Sequence, residues 1–162
     1  MASYKIGFVG AGKMASAIIK GLIKTGFAKP EELIATQAEK DLLEEKSKIL
    51  GIKVISDNKE LAQCAETVFI ATKPNQVADV LAEISPYINS EKLVVSIAAG
   101  VTTEKLEAGL PSGTRVIRVM PNTPALVGEG MSGMVGGKNA KKEDLEFIKE
   151  LLSTIGKCIV VD

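Results

Sequence analysis

Histidine is absent from the 162 residues, which removes the usual general acid/base, the usual pH switch and the commonest zinc ligand together. Chemistry must come from other side chains or from a bound group, and no metal site is expected. Cysteine is scarce: Cys64 and Cys158 stand far apart, without the paired spacing of a zinc or redox motif. Both read as buried, reduced thiols, as in a cytoplasmic protein. A charge excess is also lacking, since Lys plus Arg and Asp plus Glu balance at 20 each. No net field is left to gather phosphate backbones or anionic lipid, so neither nucleic acid nor membrane is expected as a partner. No apolar run approaches the roughly 18 residues of a membrane span. The first apolar segment, Ile6 to Val9, is interrupted by glycines rather than extended as in a secretory leader, and no export is expected. Repeats, low-complexity tracts and a Ser/Gly/Pro-rich linker are missing as well.

What is present is apolar content of 46%, enough for one core and one domain at this length. Short apolar runs alternate with segments of helical period. Lys5 to Val9, Leu33 to Ala35, Lys53 to Ile55, Thr67 to Ala71, Leu93 to Ile97 and Arg115 to Val119 read as strands. Met14 to Thr25, Glu39 to Leu50, Asn75 to Ile84 and Thr103 to Ala108 read as helices between them. This alternation predicts an α/β fold of Rossmann type, a mostly parallel sheet with helices on both faces. Pro74 suits the first turn of its helix, Thr102 or Thr103 can cap the next, and Gly26 and Gly51 follow helical runs where a terminating glycine belongs. Met120-Pro121-Asn122-Thr123-Pro124 forbids both helix and central strand and reads as a loop. Beyond it come a strand at Met131 to Val135, a helix at Lys142 to Thr154 opening with Glu143 and Asp144, and a strand at Lys157 to Val161. A chain ending on an apolar strand reads as a fragment, against the alternative of a complete small protein.

The first strand runs into Gly10-Ala11-Gly12-Lys13-Met14-Ala15, a G-x-G-x-x-A turn opening a helix. Gly10 permits the tight turn, Gly12 leaves room for a pyrophosphate, and Ala15 keeps helix and strand close. The helix N-terminus offers unpaired N–H groups and partial positive charge to phosphates. At the end of the second strand an NAD enzyme offers a carboxylate to the ribose 2′-hydroxyl, but Ala35-Thr36-Gln37 stands there. The Thr36 hydroxyl can donate to a 2′-phosphate and Lys40 can reach toward it. This favours NADP, with NAD as a second cofactor because no arginine clamps the phosphate; an ordinary strand-end threonine is the competing reading. Lys73, at Ala71-Thr72-Lys73-Pro74-Asn75, can accompany phosphate or ribose, or simply be solvated. The small side chains of Ser96-Ile97-Ala98-Ala99-Gly100 suit approach to a nicotinamide and equally suit close packing.

In chain order, Phe8 to Ala15, Asp57-Asn58-Lys59-Glu60, Ala71-Thr72-Lys73-Pro74, Val94 to Val101 and Arg115 to Pro124 resemble the N-terminal dinucleotide-binding domain of pyrroline-5-carboxylate reductases, over essentially the whole chain. The resemblance implies NADPH-dependent reduction of 1-pyrroline-5-carboxylate to proline. It places the dinucleotide on Val9, Gly10, Ala11, Gly12, Lys13 and Met14 and the 2′-phosphate region near Thr36. Further cofactor contacts fall on Asn58, on Ala71, Thr72, Lys73 and Pro74, and on Ile97, Ala98 and Ala99. Asn58 by itself reads only as turn chemistry. The loop at Met120 to Pro124 would border the nicotinamide, with Asn122 and Thr123 as its polar contacts or as parts of a rigid turn. Members of that family continue into a helical domain that forms an intertwined homodimer and supplies the loop for the substrate carboxylate, which these 162 residues lack. Two rivals share the glycine turn: a reductase of the 3-hydroxyacid dehydrogenase type, and a non-catalytic NADP-sensing module.

Overall fold

The computed structural model describes residues 3–121 and 130–161. Successive residues of a strand point to opposite faces, so a strand buried at consecutive positions is covered on both, and β1 (Tyr4–Val9) is of that kind, with every residue from Ile6 to Val9 buried. It pairs in parallel with β2 (Leu33–Thr36) on one side and β4 (Ala65–Ile70) on the other. Outside β2 lies β3 (Lys53–Ile55), and outside β4 lie β5 (Leu93–Ser96) and β6 (Arg115–Met120), all parallel. β7 (Gly130–Gly136) runs antiparallel to β6, and β8 (Gly156–Val160) runs parallel to β7. Among the described residues this makes one eight-stranded sheet ordered β3-β2-β1-β4-β5-β6-β7-β8. The expected mostly parallel α/β sheet is present, with the reversal confined to its last two strands.

Six helices, α1 (Lys13–Lys24), α2 (Leu43–Leu50), α3 (Asn58–Cys64), α4 (Val77–Ile84), α5 (Thr103–Ala108) and α6 (Lys142–Leu152), accompany the sheet among the described residues. Because successive strand residues point to opposite faces, Phe69 and Val68 enter different cores. On one face Ile18, Ile19 and Leu22 of α1, with Ile148 and Leu151 of α6, cover Phe8, Phe69, Val95 and Ile117. Phe8 and Phe69 stack there with ring centroids 4.9 Å apart. On the other face Leu61 of α3, Val77 and Leu81 of α4 and Leu106 of α5 cover Val68, Val94 and Val116.

Several boundaries differ from the sequence reading. The helices expected from Glu39 and from Asn75 each open with a 3-10 turn, Lys40–Leu42 and Pro74–Gln76, before α2 and α4 begin. α3 was not expected at all. Asp57 Oδ1 accepts the Lys59 amide at 2.9 Å and caps it, and with Glu60 three residues on this is the pattern of a helix start rather than a free turn. Seven residues are too few to show a helical period, so burial of Leu61, Ala62 and Cys64 against the sheet sustains the helix. Of the two threonines expected to cap α5, Thr102 is the one used, accepting from Lys105 N at 3.3 Å, and Gly51 ends α2 in the left-handed conformation as expected.

Candidate functional site

β1 and β4 are neighbours, but the chain leaves β1 toward β2 on one side and enters β5 from β4 on the other. Their carboxyl ends therefore diverge into a crevice, the place where open α/β sheets take ligands. A cleft of about 660 Å³ opens there, lined by Val9, Gly10, Ala11 and Gly12 of the glycine turn, Thr36 of β2, Asn58 at the start of α3, and Ala71, Thr72 and Lys73 after β4. Nine of the residues expected to meet a dinucleotide thus share one surface, although the chain separates them by up to 64 positions.

The glycine turn is held from three sides. Gly10 has φ +103°, and a Cβ there would meet the Ala71 carbonyl oxygen at 2.9 Å, so no side chain fits. The Gly10 amide donates to Thr36 Oγ1 at 3.1 Å, and the Ala71 amide donates to Val9 O at 2.9 Å. Gly12 is different: its φ is an ordinary −78°, and a Cβ would meet nothing within 4 Å. It faces open space at the N-terminus of α1, a helix with no side-chain cap and no acid in its first turn. The positive end of that helix dipole therefore meets the cleft at Gly12 with no carboxylate from the helix itself. Thr72 also lines the cleft, and its Oγ1 is buried without a hydrogen-bond partner among the described residues, a state that native structures rarely leave unanswered.

The remaining expected residues lie around this cleft. Pro74 begins the adjoining 3-10 turn, whose entry is tied by the Lys73 amide to Gln76 Oε1 at 3.3 Å. Lys13 borders a shallow groove on the far side of Gly12. Met14, Ile97 and Ala99 meet in a second hollow of about 280 Å³, completed by Gly100, Arg118, Met120 and Pro121. Ala98 points the opposite way, into the core, with its amide donating to Ser96 Oγ at 3.2 Å. Asn122 and Thr123 lie outside the described residues.

Four charged residues, Glu39, Lys40, Lys46 and Arg118, stand otherwise than the motifs indicate. Lys40 sits in the exposed turn before α2 and does not line the cleft; Lys46, one and a half turns on, does, and its Nζ donates to the Ala11 carbonyl at 3.1 Å. Glu39 also lines the cleft, its carboxylate accepting from Gln37 Nε2 at 3.1 Å. The end of β2 is therefore not without a carboxylate: one arrives three residues after Thr36, where the loop folds back. In the second hollow the Arg118 Nε is buried without a partner among the described residues.

A family model described as NADP oxidoreductase coenzyme F420-dependent matches residues 5–100. The pyrroline-5-carboxylate reductase of Methanosarcina acetivorans is 44% identical over 161 residues, which is 99% of this chain and 60% of that protein. That of Haemophilus influenzae is 42% identical over 160 residues, 97% of this chain and 57% of its own. Among solved structures, a pyrroline-5-carboxylate reductase from Coxiella burnetii superposes with TM-score 0.91 at 31% identity, covering 99% of this chain and 59% of the other. The Plasmodium falciparum pyrroline carboxylate reductase, solved with NADP bound, gives 0.87 at 33% identity over 100% and 59%. These likenesses bear out the resemblance read from the motif series. The chain spans about 60% of the length of the relatives it matches.

Proposed function

The chain belongs to the family described as NADP oxidoreductase coenzyme F420-dependent, and on that premise we propose that residues 1–162 are the NADP-binding domain of a pyrroline-5-carboxylate reductase. The observation that carries this reading is Thr72 Oγ1, a buried and unpartnered polar atom in the cleft that also holds the glycine turn. A phosphate oxygen or ribose hydroxyl would satisfy it. The open side of Gly12 and the uncapped end of α1 fit a pyrophosphate for the same reason. NADP, present in the Plasmodium relative, is the cofactor we assign, with NAD as a second one.

When bound, the cofactor supplies a hydride from nicotinamide C4 to the C=N carbon of 1-pyrroline-5-carboxylate, giving L-proline. The chain's own residues bind and orient. Val9 to Gly12 cradle the pyrophosphate, Asn58 and Ala71 to Pro74 border the adenosine half, and Met14, Ile97 and Ala99 wall the nicotinamide half, with Ala98 holding its strand end in the core. Asn122 and Thr123 are the polar candidates beside the reacting carbon. A cyclic imine is basic enough to carry its own proton, so the lack of histidine is no obstacle. The remaining length of the relatives is where we place the substrate carboxylate site and the contacts of a homo-oligomer. No helix among the described residues is long and apolar enough to cross a membrane, and a cytoplasmic enzyme is the reading we favour.

Calorimetric titration with NADPH tests the cofactor half, and failure to bind sinks it. NADPH oxidation in the presence of 1-pyrroline-5-carboxylate tests the rest: negligible turnover by the 162-residue chain, restored when the downstream segment is joined to it. Well-oriented reactants gain about 7–11 kcal/mol over free encounter, and most of that is lost if one partner has no site. Turnover by the short chain at an ordinary rate of about 10 per second would place the substrate site within it.

A further inference from the structure

Resting on the dinucleotide reading above, we infer that Lys46 and Glu39 form the pair that sets cofactor choice, Lys46 taking the 2′-phosphate of NADP and Glu39 favouring the bare 2′-hydroxyl of NAD. Neither residue belongs to the glycine turn, and Glu39 lies three residues beyond the last residue of β2. Both line the cleft at the β2 side of that turn, where the adenosine ribose of a dinucleotide lies when its pyrophosphate is on α1.

Lys46 is half-buried and anchored. Its ammonium gives one hydrogen bond to the Ala11 carbonyl at 3.1 Å, and a lysine has three donors, so two remain for a ligand. The anchoring also fixes where the charge stands, which lowers the entropy lost when it meets an anion. Elsewhere on α2 the exposed Lys48 is paired with Glu44 at 3.4 Å, whereas Lys46 reaches away from the helix to the turn. Glu39 works in the opposite sense. A phosphate monoester carries a charge of about −1.5 to −2 near neutral pH, and a carboxylate beside it is repelled, whereas the same carboxylate accepts a hydrogen bond from a ribose hydroxyl. Gln37 Nε2 holds Glu39 Oε2 at 3.1 Å, leaving the other oxygen for that bond. The two charges oppose one another across one subsite, so the chain takes both cofactors.

The test is to titrate NADPH and NADH separately into the wild-type chain and into Lys46→Gln, Lys46→Arg and Glu39→Gln, all checked for fold by circular dichroism. Lys46→Gln weakens NADPH about tenfold and NADH less than about threefold, while Lys46→Arg keeps the wild-type ratio. Glu39→Gln tightens NADPH about threefold and does not tighten NADH. A role for Lys46 in merely bracing the turn would weaken both cofactors alike. An unchanged ratio in Lys46→Gln, or no tightening of NADPH in Glu39→Gln, overturns the inference while leaving the dinucleotide reading in place. A wild-type chain that binds neither cofactor overturns both.

Discussion

The amide of Gly10 donates to Oγ1 of Thr36 at 3.1 Å, so a residue expected to address a cofactor phosphate is first of all a brace for the glycine turn. Thr36 is 3% exposed. Valine in its place keeps the shape and removes the acceptor, leaving the Gly10 N–H without a partner. Thr36→Val should lower stability by about 1–2 kcal/mol and weaken NADPH and NADH together. A urea unfolding series with parallel cofactor titrations checks this. Loss of NADPH alone would show that the hydroxyl acts on the phosphate and not on the turn.

Gly12 should separate binding from folding. Its backbone is ordinary and its Cβ direction is empty, so Gly12→Val folds with little change while its branched side chain occupies the pyrophosphate position. Circular dichroism like wild type with dinucleotide affinity reduced by at least about 100-fold is the expected result. Normal affinity in a folded variant would put the phosphates elsewhere.

At the amino end of β6, Arg115 pairs with Asp144 of α6, their side chains 18% and 8% exposed. Arg115 also donates to the carbonyls of Glu91 and Ser90, at 2.9 and 3.3 Å, and Asp144 accepts the Lys141 amide that begins α6 at 2.9 Å. Asp144→Ala strips a partly buried guanidinium of its counter-charge and a helix of its first bond. We expect about 3 kcal/mol of destabilisation, read as a shift in the urea midpoint at constant slope. A shift below about 0.5 kcal/mol would mean that the pair behaves as a solvated one.

Burial raises the thiol pKa of both Cys64 and Cys158, and neither forms a disulfide. A thiol reagent at pH 8 should therefore react with the native chain far more slowly than with a free cysteine, and with two thiols once urea unfolds it. Since the unfolded chain loses these protons first, it binds fewer of them than the folded chain as pH rises above about 8.5, and the thiols then subtract from stability. Lys92, whose ammonium is disfavoured by burial, acts in the other direction. Comparing wild type with Cys64→Ala between pH 7 and 10 isolates the thiol share. Rapid labelling of either cysteine in the folded chain would contradict its burial.

The sheet and most of its helices were legible because their signals are local. Unbroken apolar runs mark strands covered on both faces, and the turn at Gly10, Gly12 and Ala15 carries its own steric reasons. α3 escaped because seven residues are too short for a period, even though Asp57 and Glu60 announce its start. The charges near Thr36 stayed hidden for a different reason. Thr36 can be read only against its chain neighbours, whereas Glu39 and Lys46 reach the same cleft from a loop and a helix face, and the sequence says nothing about which way either one turns.

The α/β alternation, the glycine turn and the motif series shared with pyrroline-5-carboxylate reductases are written in short runs of residues, each legible from its chain neighbours alone. Only the tertiary structure decided that Lys46 rests on Ala11, thirty-five positions away, that Glu39 enters the cleft, and that Ala99 opens to the second hollow while Ala98 turns into the core. These placements depend on how α2 packs beside the glycine turn and on the alternating faces of the chain leaving β5. They are set by contacts between distant segments, which no local pattern of residues records.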